Sequence, residues 1–105
     1  MRRFLIITKL KADKTELYIE LHNKIGPSVV QAAHDYNLRN YSIYRLGPYL
    51  FSYFEYVGDD YEADMLAKNN LPVIQEWRRQ TGECFDMVTE QELCLAAKEV
   101  FHHDF

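Results

Sequence analysis

Tyr18 and His22 stand four residues apart, and a helix through them would set a phenol and an imidazole side by side on one face. An imidazole has a reference pKa of about 6.5, so it can give and take a proton near neutral pH, as a general acid/base must. The plainer reading of the spacing is a half-buried histidine bonded to a backbone carbonyl. Trp77 is the one tryptophan, and Tyr41, Tyr44, Tyr49, Tyr53 and Tyr56 add rings that carry hydroxyls. Such groups suit a sugar, whose C–H faces pack on rings and whose hydroxyls need donors and acceptors. Ordinary packing in a core or between subunits is the plainer account of them. His102-His103-Asp104 could hint at metal, but neighbours in a strand point to opposite faces, so a solvated tail is the better reading. His34 has no evident partner. Cys84 and Cys94 form neither a zinc ribbon nor a disulfide framework and read as two reduced thiols. A phosphate-binding glycine loop, a nucleophile elbow and a paired-cysteine redox motif are all missing from the chain.

The elements that must position these groups follow from pattern. Residues 3–10 hold Phe4, Leu5, Ile6 and Ile7, a cluster that suits a strand. Asp13 three residues before Glu16 predicts a capped helix start. Leu17, Leu21, Ile25 and Val29 follow the i, i+4 rule and define its expected buried stripe, with His22 at the edge of an arc of about 140°. Gly26-Pro27 should kink or restart the helix, which continues over residues 28–36. Residues 37–40 read as an exit loop. Residues 41–46 and 49–57 form a hairpin around Gly47-Pro48. Asp59 with Glu62 repeats the capping arrangement before a short helix through Met65, Leu66 and Ala67. Leu71-Pro72 opens another helical piece, with Val73, Ile74 and Trp77, ending near Gly82. Residues 83–97 fit either a helix end or a strand, and residues 98–102 look like a last strand.

That order is βαββαβ, the ferredoxin-like α+β fold, with helices covering one face of a four-stranded antiparallel sheet. The chain of 105 residues is read as one domain, 1–105, with 48% hydrophobic residues to build its core. The aromatic hairpin would leave the other sheet face as a large apolar patch, so a face-to-face homodimer, a dimeric α/β barrel, is expected to close it. A net charge of -4 without a basic run gives no handle to nucleic acid or an anionic membrane. Thr8 and Lys9 end the first apolar stretch far short of a signal-peptide core or a membrane span, and a cytoplasmic protein is expected.

Tyr18-x-x-x-His22-Asn23, Ile25-x-Pro27, Asn40-Tyr41-Ser42-Ile43-Tyr44, Leu50-Phe51, Val73-x-Gln75-x-Trp77 and Glu99-Val100-Phe101-His102 together resemble the L-rhamnose mutarotase family. The match runs along nearly the whole chain. The resemblance implies a small dimeric ferredoxin-like isomerase that interconverts sugar anomers without cofactor or metal. It implies His22 as the proton donor and Tyr18, Tyr41 and Trp77 as sugar contacts. Two departures stand out: the family's Ile-Trp-Pro is Ile25-Gly26-Pro27 here, and its Trp-Trp pair is Trp77-Arg78. Arg78 is read as a substrate contact that replaces stacking by hydrogen bonds to sugar hydroxyls, the alternative being that it points into solvent. L-rhamnose or a related deoxy-hexose is the expected substrate. The alternatives are a non-catalytic sugar-binding module and a small monooxygenase or haem-degrading protein, since barrels of this class host both.

Overall fold

In the computed structural model, which describes residues 1–86 and 95–105, the chain opens with β1 (Arg2–Lys9). A 3-10 turn, Ala12–Lys14, leads into α1 (Thr15–Asn23). Lys14 occupies the N-cap position and no side chain bonds there. The expected cap by Asp13 does not form, because the 3-10 turn takes up that residue and moves the helix start past it. α2 (Pro27–Asp35) then restarts with an extended Gly26 before it and proline in its first turn, as the Gly26-Pro27 pair predicts.

The buried stripe of α1 differs from the expected one. Leu17 is 38% exposed, whereas Tyr18 is buried and Leu21, His22 and Ile25 are half-buried. Tyr18 joins Leu10, Leu50 and Cys84 in a core cluster. Packing of that large ring rotates the helix, so Tyr18 lies at the heart of the buried face and His22, expected at its edge, turns inward.

β2 (Leu38–Leu46) begins inside the stretch read as a loop. Asn37 and Asn40 take φ of 74° and 52°, which asparagine tolerates better than most residues. Leu38 pairs with Tyr56, and the register then shifts between Arg39 and Ser42. This bulge reverses the alternation. Tyr41 is thereby turned to the inner face, where its ring stacks on Phe54 at 5.0 Å. Gly47, with φ 60°, carries the turn to β3 (Tyr49–Tyr56).

Asp60 caps α3 (Tyr61–Asn69), its carboxylate accepting the Ala63 amide at 3.1 Å. The cap expected at Asp59 thus falls one residue early. α4 (Pro72–Gly82) opens at Leu71-Pro72 as expected. The last strand, β4 (Leu95–Ala97), pairs with residues 5–7 of β1. A strand over 98–102 does not form. There Val100 and Phe101 lie exposed, and Glu99 is tied to Arg3 by a side-chain ion pair of 2.7 Å in place of a backbone ladder. The ambiguous stretch 83–97 resolves at its two ends: Phe85 bridges Leu10, and β4 closes the sheet. Leu93 and Cys94 lie outside the described residues.

The sheet order is β2-β3-β1-β4, antiparallel throughout, with the helices against one face. Each helical limb of the ferredoxin-like plan is broken in two. Phe4, Ile6, Leu38, Phe54 and Tyr56 face the helices and pack with Ala33, Tyr61 and Met65. By alternation along the paired strands, Leu5, Ile7, Tyr44, Leu46, Tyr49, Phe51 and Tyr53 share the opposite face. The hairpin tyrosines therefore form no single platform. Tyr41 and Tyr56 point inward, while Tyr44, Tyr49 and Tyr53 point outward. Among the described residues, no helix is long and apolar enough to cross a membrane.

Candidate active site

His22 sits one turn after Tyr18 on α1, and its Nδ1 lies 2.9 Å from the Tyr18 carbonyl. A carbonyl can only accept, so Nδ1 carries the hydrogen. Nε2 is then the nitrogen that gains or loses a proton, and it has no hydrogen-bond partner among the described residues. The backbone contact and the chemical reading coexist: the bond that would explain the histidine as structural also fixes its tautomer.

Two aromatic rings hold the imidazole. The Tyr18 ring lies beside it at 4.3 Å between centroids, and Trp77 meets it edge-on at 4.9 Å. Trp77 comes from α4, whose Ile74 and Thr81 are buried on either side of it. Thr81 Oγ1 also donates to the Trp77 carbonyl at 3.1 Å, tying down the last turns of that helix. Phe85 closes on Tyr18 from the far side at 5.7 Å.

The Tyr18 phenol is pushed well above the usual tyrosine range by burial first, and further by Tyr41 and Cys84 nearby. It stays protonated at any physiological pH and can donate. It makes no hydrogen bond to a described residue, yet no sealed side-chain oxygen or nitrogen there lacks a partner. The hydroxyl must therefore reach open space. Tyr41 joins through its own phenol, raised by burial and by Tyr61. As a residue Tyr41 is half-exposed, but its hydroxyl end is the desolvated part. An imidazole nitrogen and two neutral phenols thus converge beneath the sheet.

Arg78 does not join this group. It is exposed, on the next position of α4. His102 pairs with Asp104 at 3.1 Å on the exposed tail, and the described residues contain no cluster of three metal-ligating side chains. His34 lies exposed beside Asp35. The broad concavity of about 790 Å³, lined by Asp13, Glu16, Ile19, Arg45 and Pro48 among others, includes none of the rings around His22.

The family model for L-rhamnose mutarotase matches residues 3–103. The chain belongs to the L-rhamnose mutarotase family. It is accordingly an isomerase of the sugar mutarotase class. Among curated protein sequences none matches it. A crystal structure of an L-rhamnose mutarotase from Formosa agariphila superposes with a TM-score of 0.75 at 22% identity, covering 99% of this chain and 100% of that one. Tetracenomycin F2 cyclase from Streptomyces glaucescens, a type-II polyketide cyclase, gives 0.69 at 13% identity, covering 100% and 99%. Rv0793 from Mycobacterium tuberculosis gives 0.57 at 15% identity, covering 80% and 82%. At these identities the likeness is one of fold, and fold does not choose a chemistry.

Within this mutarotase-family chain, sequence reasoning missed Tyr61 and Phe85. Tyr61 stacks on Phe4 at 4.5 Å and helps raise the pKa of the Tyr41 phenol. The spacing Tyr61, Met65, Lys68 is a helical stripe and was available as a signal. Phe85 carried none, since its place follows from the bridge to Leu10. At Gly26, an added Cβ would meet nothing within 4 Å. The break between α1 and α2 therefore leaves room where the family's tryptophan would stand.

Proposed function

We propose that this protein interconverts the α and β anomers of L-rhamnose or a related deoxy-hexose, with His22 as the acid/base and Tyr18, Tyr41 and Trp77 as sugar contacts. The observation that supports it is the Nδ1 bond to the Tyr18 carbonyl, which leaves Nε2 as the nitrogen free to take up and release a proton among neutral donors. Ring opening moves one proton from the anomeric hydroxyl to the ring oxygen, and reclosure on the other carbonyl face returns it. Both oxygens are attached to the same carbon, so one nitrogen placed between them can take the first proton and deliver it to the second. The Nδ1–H bond persists through both steps and favours the transient imidazolium. Tyr18 and Tyr41 donate to sugar hydroxyls, and the Trp77 indole packs on a C–H face. Arg78 is assigned a hydrogen-bonding role toward the part of the substrate farthest from His22.

The test is NMR magnetisation transfer between anomeric protons for a panel of aldoses, with wild type and His22→Ala side by side. Wild type should accelerate exchange of at least one sugar, and the variant should lose about 10²–10⁴-fold. Equal exchange rates for the two proteins would remove His22 from the chemistry.

The working form is proposed to be a homodimer closed over the outer sheet face. There Tyr44 and Leu46 are 68% and 72% exposed, beside Tyr49 and Phe51. The cytoplasm is the proposed location, in keeping with the free buried thiol of Cys84.

A further inference from the structure

Two residues of β2, Asn40 and Tyr41, stand against Phe54 alone on β3, between the pairs Arg39 with Glu55 and Ser42 with Tyr53. Without the extra residue, alternation would put Asn40 on the inner face and send Tyr41 outward. The bulge keeps Tyr41 stacked on Phe54 at 5.0 Å, and Ile43, the next inward residue of β2, packs on the Tyr18 cluster. One row of β2 thus carries Tyr41 toward the residues that hold His22.

What holds the bulge lies on the other side of the sheet. Asn40 takes φ 52°, a left-handed conformation that glycine and asparagine adopt most readily, and its Nδ2 donates to Glu55 Oε1 at 2.6 Å. The Tyr53 hydroxyl donates to the second oxygen of the same carboxylate at 2.7 Å. Glu55 has an arginine opposite it on each flanking strand, Arg3 on β1 and Arg39 on β2. Both are engaged elsewhere: Arg3 holds Glu99 at 2.7 Å, and Arg39 donates to the His34 and Leu38 carbonyls at 2.9 and 2.8 Å. The half-buried carboxylate is therefore given to the bulge, and its charge makes both bonds stronger than neutral ones. Asparagine meets both demands of position 40. Glycine would supply the backbone conformation without the bond, and aspartate would set a second negative charge against Glu55.

We propose that Asn40 and Glu55 are positioning residues for the sugar site, a clamp on the outer sheet face that holds the bulge and so keeps the Tyr41 hydroxyl turned to the substrate. Neither touches the sugar; each acts through Tyr41. The inference rests on the reading of Tyr41 as a sugar contact, and it leaves the neutral deoxy-hexose substrate and the proton transfer at His22 unaltered.

The test measures affinity by isothermal titration and anomer exchange by magnetisation transfer, with L-rhamnose and L-fucose as probes and the one that wild type turns over carried forward. Asn40→Gly and Glu55→Ala should each weaken binding about three- to tenfold, with the loss in KM rather than in kcat. Glu55→Gln, whose amide can accept from Asn40 and donate to the Tyr53 oxygen, should retain most of the affinity. Tyr53→Phe, which keeps the ring and removes one of the two bonds, should lose less than Glu55→Ala. Tyr41→Phe should weaken binding by itself, and adding Asn40→Gly to it should cost nothing further, because the clamp has no other route to the sugar. Losses that add would show a general loosening of the sheet and overturn the clamp. So would wild-type affinity in both Asn40→Gly and Glu55→Ala while Tyr41→Phe is weakened. Wild-type affinity in Tyr41→Phe would remove Tyr41 from the site and the clamp with it, while His22 keeps its role. If wild type neither binds nor turns over either probe, the sugar reading and the clamp fall together.

Discussion

At the scale of single residues, the imidazole of His22 depends on one backbone atom. The Tyr18 carbonyl at 2.9 Å settles which nitrogen is available, and the rings of Tyr18 and Trp77 settle where it points. Tyr18 also contributes its hydroxyl, and that role can be separated from its packing. Tyr18→Phe keeps the ring in the cluster with Leu10, Leu50 and Cys84, so the fold should be retained while sugar affinity falls by about 1 kcal/mol, the worth of one hydrogen bond. Isothermal titration with the sugar that wild type turns over checks this, and unchanged affinity would remove the Tyr18 hydroxyl from the site. The pairing of Tyr18 with His22 was legible from spacing alone. That Trp77 closes the group was not, because α1 and α4 are brought together by the fold across more than fifty residues of chain.

At the scale of elements, α3 is moored to the hairpin by a small polar network. The Tyr56 hydroxyl and Asn37 both donate to Asp64, and the Asp60 amide donates to the Tyr56 oxygen. Hydrogen bonds from Tyr56 first and Asn37 second hold the Asp64 carboxyl below the usual range. A carboxyl depressed on folding contributes stability that is complete above its unfolded value of 3.8 and lost as pH falls through the lower folded value. Asp64→Asn should therefore flatten the acid limb of a melting-temperature profile while leaving its upper limb parallel to wild type; an acid limb of unchanged slope would show that Asp64 is not the group responsible. Gly58 guards the same network. A Cβ there would run into the Tyr56 phenol and the Asn37 amide, so Gly58→Ala should cost roughly 1–3 kcal/mol in urea unfolding. No loss would mean the network moves aside freely. None of this is legible in the sequence, since Tyr56 and Asn37 are brought to Asp64 only by the fold.

At the scale of the whole molecule, the sheet has one face covered by four helices and one that no helix of the described residues covers. The outer face carries Leu5, Ile7, Tyr44, Leu46, Tyr49, Phe51 and Tyr53, and the tail beyond β4 adds exposed Val100 and Phe101. An apolar area of this kind is the surface on which the proposed homodimer would close. Sedimentation equilibrium should return twice the 12.5 kDa chain mass, and a Tyr44→Glu, Leu46→Lys double variant should return the single mass with the fold intact by circular dichroism. A wild-type monomer at micromolar concentration would overturn the dimer.

By itself the sequence determined the order of strands and helices, the restart at Gly26-Pro27, and the closeness of Tyr18 and His22, because each depends on backbone chemistry and on neighbours within a few residues. The tertiary structure alone decided the rotation of α1 about Tyr18, the division of the hairpin tyrosines between two faces, and the arrival of Trp77 at the imidazole. The bulge at Asn40 shows the reason. One residue out of register reverses a strand's faces and carries Tyr41 from the outer surface to the inner one. That slip is set by the pairing of Leu38 with Tyr56 and by the stacking of Tyr41 on Phe54, contacts between parts of the chain that meet only when the sheet is assembled.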